Sequence, residues 1–237
     1  MKIEEFSMKM IEKARKNELV LSEEQISQFY RYMELLIEWN QKMNLTAITE
    51  PNEVIEKHFI DSLAIMPYIN KETTIIDVGT GAGFPGIPMK IGNSSLKITL
   101  LDSLNKRITF LEEIISQLQL KEISAVHGRA EEYIREKRET FDIAVSRAVA
   151  ELPTLLEYLL PYVKIGGKCI CMKGPKALEE IQKSKKALEI LGGKIESIEN
   201  IKINEEMERN IIIIQKIKPT PSKYPRKAGK PSKEPII

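Results

Sequence analysis

A glycine-rich loop is the strongest candidate for a ligand-binding element in this sequence. It begins at Asp77 and ends at Gly86, and glycine occupies every second position from Gly79 to Gly83. Glycine allows the backbone to approach a ligand closely at the carboxyl end of a strand. Two spacings fit: Gly-x-Gly-x-Gly from Gly79 suits adenosylmethionine, and Gly-x-Gly-x-x-Gly from Gly81 suits a dinucleotide.

Two features near the loop favour the adenosylmethionine spacing. A pyrophosphate-binding loop needs its third glycine inside a helix that packs on the sheet, whereas Pro85 and Pro88 leave room for only a short helix. A dehydrogenase of this size would also need a second catalytic domain, and the crossover brings none. A terminal hairpin after five βα units matches a class I methyltransferase sheet better. We therefore predict that Gly79 and Gly81 lie against a bound S-adenosylmethionine.

Two further segments are predicted to bind the adenosine part of this ligand. Asp102 closes the second predicted strand, where its carboxylate can accept hydrogen bonds from both ribose hydroxyls. Residues 127–131 follow the third strand, where adenine contacts lie in this architecture. Each acid also has a structural alternative to ligand binding. Asp102 could be the N-cap of the next helix, and Glu131 could be an acid in the first helical turn, where its charge interacts favourably with the helix dipole.

Alternating strands and helices must hold these residues in place. From Thr73 onward, short β-branched segments alternate with amphipathic ones, which predicts a parallel sheet with helical crossovers. The predicted strands cover residues 74–78, 97–101, 123–127, 141–146 and 168–172, and the predicted helices cover 105–120, 130–137, 152–162 and 177–191. Two last strands, 194–203 and 210–218, are joined by a polar turn, which predicts an antiparallel hairpin.

The chain divides into three predicted parts. Residues 1–72 lack glycine and form an N-terminal helical region, with a capping box from Ser22 to Gln25. Residues 73–218 form the adenosylmethionine-binding domain. Residues 219–237 contain five prolines and are predicted to form neither a helix nor a central strand. The predicted fold class is α/β: a class I Rossmann-like methyltransferase sheet, mostly parallel with a terminal antiparallel hairpin, a helical extension and a basic tail.

Composition and charge limit the classes of protein and partner. Apolar residues make up 42% and charged residues 30%, which excludes a wholly disordered chain and a disulfide-linked scaffold. No apolar run reaches the ~18–20 residues that span a bilayer, so we expect a cytoplasmic protein.

The positive charge of the chain is concentrated at its C-terminal end. The net charge is +2, but the residues from Lys216 onward include seven Lys and Arg and only one Glu. This asymmetry predicts a polyanionic partner, with a solvated tail as the alternative.

The motifs of the chain resemble one family along nearly its whole length. Those that carry the resemblance are Asn44-Leu45-Thr46-Ala47-Ile48, His58-x-x-Asp61-Ser62-Leu63, the run from Asp77 to Pro88, Leu101-Asp102-Ser103-x-x-Lys106-Arg107, His127-Gly128-Arg129-Ala130-Glu131, Ser146-Arg147-Ala148-Val149-Ala150, Lys173-Gly174 and Tyr224-Pro225-Arg226-Lys227-x-Gly229. They are similar to those of the bacterial small-subunit ribosomal RNA guanine-N7 methyltransferase G family, also called glucose-inhibited division protein B. This resemblance implies methylation of N7 of guanine 527 (conventional numbering) of 16S rRNA. It places cofactor contacts at Gly79, Phe84, Ala130, Glu131 and Arg147.

The residues present agree with methyl transfer to a ring nitrogen. Guanine N7 carries a lone pair and no proton, so no general base is required and catalysis is mostly positioning. Enzymes that methylate amino groups carry Asn/Asp-Pro-Pro-aromatic after the fourth strand, and cytosine C5 enzymes carry Pro-Cys. This chain has Ser146-Arg147-Ala148-Val149 there. We interpret Cys169 and Cys171 as core residues and expect no metal.

Three basic residues at the carboxyl ends of strands three, four and five are the predicted catalytic residues: Arg129, Arg147 and Lys173. Arginine commonly binds guanine O6 and N7 together, but N7 must face the methyl group here. We therefore expect contacts with O6, phosphate or the cofactor carboxylate, with surface ion pairs as the alternative. His58 and Asp61 lie one helical turn apart, which favours a structural hydrogen bond between them.

The predicted partner is 16S rRNA or the small ribosomal subunit, bound by a monomer. The basic tail is expected to hold the RNA backbone, and its deletion is expected to leave cofactor binding nearly intact. Two alternatives stay open: a methyltransferase for another RNA base or a small molecule, and a non-catalytic nucleotide-binding module. The basic tail argues against a small molecule, and the glycine loop argues against a non-catalytic module.

Overall fold

Seven strands form one mixed sheet in the computed structural model, which describes residues 1–237. The strands are β1 (Thr74–Val78), β2 (Lys97–Asp102), β3 (Ile123–His127), β4 (Phe141–Arg147), β5 (Val163–Lys173), β6 (Gly193–Lys202) and β7 (Glu208–Lys216). Their order is β3-β2-β1-β4-β5-β7-β6, with β1 to β5 parallel and β7 antiparallel to both its neighbours. The predicted α/β fold with a terminal antiparallel hairpin is confirmed.

Helices connect the strands and precede the sheet. The α-helices are α1 (Ile3–Lys16), α2 (Glu23–Met43), α3 (Pro51–Glu53), α4 (Asp61–Leu63), α5 (Gly86–Gly92), α6 (Asn105–Gln117), α7 (Ala130–Lys137), α8 (Leu152–Leu159), α9 (Ala177–Lys183), α10 (Lys185–Leu191) and α11 (Lys230–Lys233). A π-helical segment, Val54–Ile60, joins α3 to α4, and single 3-10 turns lie at Met66–Tyr68 and Leu160–Tyr162. None of these helices has the length and apolar character needed to cross a membrane.

Alternate residues of the strands belong to two hydrophobic cores, one on each face of the sheet. Ile75 of β1 lies in the first core together with Phe29 and the other buried residues of the N-terminal helices. Ile76 lies in the second core with Leu155 of α8. The N-terminal helices therefore bury their apolar face against the sheet itself. The divisions at residues 72 and 218 remain predictions about independent units.

The second helix carries one loop to the candidate site. Ser22 and Gln25 form the predicted capping box, in which each side chain accepts a hydrogen bond from the other residue's backbone N–H. The helix ends at Asn44, which adopts a left-handed conformation with φ of +48°. The Asn40 side chain then accepts hydrogen bonds from two following N–H groups, including that of Thr46 at 2.8 Å. These bonds fix the position of Thr46.

The predicted third helix is present, but its middle turn is wider than an α-helix. Residues Val54–Ile60 follow π-helical hydrogen bonding and continue directly into α4. Such turns are rare and are frequently found at functional sites. This one carries His58 and precedes Asp61, and both side chains are buried.

Most element boundaries differ from the sequence predictions by a few residues, and two differences have a clear physical cause. The predicted helix 177–191 is two helices, because it breaks at Ser184, whose hydroxyl donates to the Glu180 carbonyl oxygen at 2.6 Å. Strand β5 begins at Val163, earlier than predicted, because that residue pairs with Phe141 before a bulge shifts the register.

The C-terminal tail, residues 219–237, docks on the body of the protein. Contrary to the prediction of no helix, it contains one helical turn, because Pro231 lies in the first turn, where a missing N–H is tolerated. Arg226 forms an ion pair with the fully buried Glu157 of α8 at 2.6 Å. Tyr224 is also buried. These contacts fix the tail beside α8.

Candidate active site

A cleft of about 490 Å³ opens at the carboxyl ends of β1 to β4. Ligands of parallel α/β sheets bind at this edge. The predicted site residues that line the cleft are Gly79, Gly81, Phe84, Asp102, Arg129, Ala130, Glu131 and Arg147. One predicted residue, Lys173, lies elsewhere.

The glycine loop is packed tightly below the cleft and open towards it. Gly79 has a φ of +71°, and a Cβ there would lie 2.5 Å from a methyl carbon of Val149. Only glycine satisfies both the angle and the space. By contrast, a Cβ at Gly81 would meet no atom within 4 Å, because this residue borders the open cleft. The loop therefore offers bare backbone to a ligand.

Asp77 anchors the loop, and sequence reasoning gave it no role in the site. Its Oδ2 accepts hydrogen bonds from the Thr80 hydroxyl at 2.7 Å and from the Gly86 N–H at 2.9 Å, whereas Oδ1 has no partner. Burial raises the pKa of this carboxyl to about 6. Its position directly before the glycine loop was the signal that could have indicated an anchoring role.

Asp102 faces the cleft and also organises the backbone around it. Its Oδ2 accepts a hydrogen bond from the Gly81 N–H, and its Oδ1 accepts one from the Leu104 N–H, both at 2.9 Å. Arg107 forms an ion pair with the same carboxylate at 3.1 Å. The structural alternative is thus partly present, since Asp102 supports the start of α6. Its carboxylate still borders the cleft, where ribose hydroxyls would meet it.

The N-terminus of α7 forms another wall of the cleft. Ala130 and Glu131 are the first residues of this helix, so their N–H groups have no partner within it. Arg129 precedes them, and its exposed guanidinium makes no hydrogen bond or ion pair. Glu131 accepts a hydrogen bond from the Gly229 N–H of the tail at 3.0 Å. Gly229 and the nearby Ser232 also line the cleft, which sequence reasoning missed.

Arg147, at the end of β4, is the centre of a charged network on the opposite side. Its guanidinium donates to Asp61 Oδ2 at 2.8 Å and to His58 Nδ1 at 3.1 Å. Arg209 of β7 also forms an ion pair with the fully buried Asp61, at 2.8 Å. The predicted direct hydrogen bond between His58 and Asp61 is wrong, because Arg147 bonds to both of them instead.

His58 is held as a neutral ring. Burial, with a smaller effect from the adjacent Arg147 charge, lowers its pKa to about 3. Because Nδ1 accepts from Arg147, the proton is assigned to Nε2, which donates to the Thr46 hydroxyl at 3.0 Å. The ring also stacks on Phe84 with centroids 4.3 Å apart. His58 is therefore a positioning residue and a weak base at neutral pH.

Lys173 lies in a second cavity of about 360 Å³, on the far side of Arg147. Its ammonium group donates to the Ala150 carbonyl oxygen at 2.7 Å and forms an ion pair with Glu180 at 2.7 Å. His58, Arg147 and Ala148 line both the cleft and this second cavity. Lys173 therefore does not share the cleft with Arg129, because the Arg147 network stands between them.

The cleft fits S-adenosylmethionine in size and in the groups that it presents. Its volume is within the range of small-molecule sites, and it combines open loop backbone, an acid after β2 and a helix N-terminus. The chain is similar to a solved SAM-dependent methyltransferase from Aquifex aeolicus, with a TM-score of 0.55, 19% identity, and coverage of 73% of this chain and 97% of that chain. It is also similar to M. jannaschii TYW2, solved in complex with AdoMet, with a TM-score of 0.54, 17% identity, and coverage of 67% and 76%. Fold and site define a class I, S-adenosylmethionine-dependent methyltransferase.

A family model described as rRNA small subunit methyltransferase G, GidB, matches residues 25–212, and the chain belongs to this family. A relative from Acetivibrio thermocellus named "Ribosomal RNA small subunit methyltransferase G" is 58% identical over 220 residues, which cover 91% of this chain and 90% of the relative. A relative of the same name from Alkaliphilus oremlandii is 52% identical over 223 residues, which cover 91% and 92%. The resemblance of the motifs is thereby confirmed.

Proposed function

We propose that this protein methylates N7 of guanine 527 in 16S rRNA, with S-adenosylmethionine as the methyl donor. The observation that carries the proposal is the wall formed by His58, Arg147 and Ala148, which lines both the cofactor-sized cleft and the second cavity. A cofactor in the cleft and a base in the second cavity would meet at this wall. The name of the relatives indicates the class of RNA.

The cleft residues have distinct roles in this proposal. Bound S-adenosylmethionine supplies a methyl group on a positively charged sulfur. Gly81 lets its backbone approach the bound molecule, and Asp102 accepts hydrogen bonds from the ribose hydroxyls. The N–H groups of Ala130 and Glu131 face the adenine. Phe84 is held flat against His58, so it forms a rigid apolar surface.

The chemistry requires positioning rather than proton removal. Guanine N7 has no proton to lose, so the weak basicity of His58 does not oppose the reaction. His58, Asp61 and the Lys57 carbonyl oxygen accept hydrogen bonds from the Arg147 guanidinium, and Arg209 in turn holds Asp61. A rigid cation at the wall excludes misaligned approaches of the base, and such positioning accounts for a large share of the rate enhancement in displacement reactions.

Arg129 and the basic tail are assigned to the RNA backbone. Arg129 is exposed at the rim of the cleft and has no partner, so its charge is available to a phosphate. Lys227 of the tail is likewise exposed and unpaired, whereas Arg226 is used to anchor the tail on Glu157. We place the protein in the cytoplasm, as a monomer acting on the small ribosomal subunit or its RNA.

Mass mapping of rRNA fragments tests the proposal. Small-subunit rRNA is compared with and without this protein in the presence of S-adenosylmethionine. One additional methyl group is expected, in the fragment that contains guanine 527. A methyl group on another RNA base would indicate a different substrate within the class, and no methyl group on any rRNA fragment would contradict the proposal.

A further inference from the structure

The second cavity has the composition of a site for a flat ring. Ile48, Met172 and Met207 give it apolar walls. Its charged lining residues are Lys57, Arg147, Lys173, Arg209 and Glu180. Its volume of about 360 Å³ lies in the range of small-molecule sites. Apolar walls with a few oriented polar groups are typical of sites that bind a heterocycle.

The charges of this cavity do not suit a phosphate. All four cations that line it are paired: Arg147 and Arg209 with Asp61, Lys173 with Glu180, and Lys57 with Glu53. Glu180 is the one carboxylate that lines the cavity, where it would repel an anion. A neutral ligand with both donor and acceptor atoms would meet complementary groups instead.

The Lys173–Glu180 pair has one free donor and one free acceptor. Glu180 Oε2 accepts a hydrogen bond from the Leu152 N–H and forms an ion pair with Lys173 Nζ, both at 2.7 Å, while Oε1 makes no hydrogen bond. The Lys173 ammonium donates one of its three protons to the Ala150 carbonyl oxygen and pairs with Glu180 through its charge. Both side chains are nearly buried, so their geometry is fixed.

We propose that this pair binds the Watson–Crick edge of the target guanine. Lys173 Nζ donates a free proton to O6, and Glu180 Oε1 accepts the N1–H. This inference rests on the proposed function. O6 and N1 lie on the six-membered ring, so this arrangement leaves N7 of the five-membered ring free to face the wall at Arg147.

The same pair would reject adenine. Adenine carries an amino donor in place of O6 and a bare acceptor at N1. Lys173 would then face a donor and Glu180 would face an acceptor, so both hydrogen bonds would be lost. A site that hydrogen-bonds one base discriminates strongly against the base that leaves its buried polar groups unpaired.

The hydrogen bond to Glu180 also becomes stronger during methyl transfer. N7 donates its lone pair to the methyl carbon while the carbon–sulfur bond breaks and its electron pair stays on sulfur. The positive charge passes from sulfur to the guanine ring, which makes N1–H a stronger donor. Its hydrogen bond to the Glu180 carboxylate is therefore stronger in the transition state than in the bound substrate, and such differential binding raises kcat.

Glu180→Gln tests the proposal because Leu152 controls the orientation of the new amide. The Leu152 N–H requires the amide oxygen at the position of Oε2, which turns the amide NH2 towards the cavity. This NH2 would oppose guanine N1–H and could donate to adenine N1. Glu179→Gln is the matched control: it removes the same charge from the adjacent residue of α9, which is exposed and does not line the cavity.

Single-turnover rates are measured on small subunits that carry guanine or adenine at position 527. The guanine-over-adenine rate ratio should fall about 5- to 150-fold in Glu180→Gln, the range expected for one specific base contact, through a lower kcat on guanine. Glu179→Gln should change the ratio less than about twofold. Calorimetry should give unchanged S-adenosylmethionine binding, and a thermal melt should show that both variants are folded.

The possible results are distinguishable. Equal slowing on guanine and adenine, or an unchanged rate on guanine, would overturn the inference. If the wild-type protein methylates no guanine at all, the proposed function itself fails. A reduced ratio with intact cofactor binding supports the assignment of Lys173 and Glu180.

Discussion

At the scale of single residues, Asp102 links the fold to the cofactor. Its carboxylate accepts hydrogen bonds from two backbone N–H groups, forms an ion pair with Arg107 and borders the cleft. The same group therefore positions Gly81 and offers acceptors to a ribose. An acid with both roles is more sensitive to substitution than one with either role alone.

Asp102→Asn is expected to weaken S-adenosylmethionine binding by about 10- to 150-fold, because hydrogen bonds to a charged group contribute ~1.5–3 kcal/mol. Isothermal titration calorimetry measures this change. Asp142→Asn removes an acid that does not line the cleft and should bind the cofactor normally. If Asp102→Asn binds S-adenosylmethionine normally, Asp102 has only the structural role of supporting the start of α6.

The raised pKa of Asp77 leads us to predict that the stability of the protein depends on pH. Its pKa is raised by burial to about 6 in the folded protein, against 3.8 for an ordinary aspartate. Between these two values the folded state holds a proton that the unfolded state has released, so this residue's contribution to stability falls as pH rises from about 4 to about 6. Asp77→Asn does not titrate and removes that contribution.

The free energy of unfolding of Asp77→Asn, relative to the wild-type protein, should therefore rise between pH 4 and pH 7 by about 2–3 kcal/mol, since each pKa unit corresponds to ~1.4 kcal/mol. Urea unfolding at several pH values gives this difference, and the other titrating groups cancel in the comparison. A difference that stays constant with pH would show that folding does not raise the pKa of Asp77.

At the scale of elements, the tail is part of the cofactor cleft. Gly229 and Ser232 line the cleft, and the Gly229 N–H bonds to Glu131. Arg226 fixes this arrangement through its ion pair with buried Glu157. We expected from the sequence that deletion of the tail would leave cofactor binding nearly intact. The structure instead predicts that loss of the tail's anchor weakens both stability and cofactor binding.

Arg226→Met should destabilise the protein by about 3–5 kcal/mol, because it leaves Glu157 buried without its partner. It should also weaken S-adenosylmethionine binding, since the wall formed by Gly229 loses its anchor. Lys227→Met is the control, because Lys227 is exposed and makes no ion pair. Thermal melts and calorimetry measure the two effects, and equal behaviour of both variants would contradict the docked tail.

Most elements could be predicted from the sequence, because local patterns specify them. The β-branched run at 74–78 and the capping box at Ser22 depend on neighbouring residues only. The π-helical turn and the break at Ser184 could not be predicted, because they depend on packing and on competing hydrogen bonds. The tail's docking depends on Arg226 finding Glu157, a contact between distant positions that no local pattern contains.

The site divides in the same way. The glycine loop and Asp102 were predictable from spacing along one βα unit. The role of Glu180 was not, because its partners Lys173 and Leu152 come from other elements. The same is true of Asp61, which binds Arg147 and Arg209 from two different strands.

At the scale of the whole molecule, we assign cofactor binding, base recognition and RNA-backbone binding to three different regions. The cleft in which we propose that the cofactor binds lies at the ends of β1 to β4, and the second cavity lies beyond Arg147 with its charges paired. Two exposed cations are unpaired: Arg129 lies at the rim of the cleft, and Lys227 lies outside both cavities. Exposed cations attract the RNA backbone without specifying a base, whereas the cavity specifies the base.

The most direct test of the central claim is the position and atom of methylation. N7-methylguanosine carries a positive ring charge, so borohydride followed by aniline cleaves RNA at that nucleotide. 16S rRNA from treated small subunits should show one new cleavage, at guanine 527, that requires both the protein and S-adenosylmethionine. Methyl incorporation without cleavage would contradict transfer to N7, and cleavage at a different guanine would contradict the proposed target.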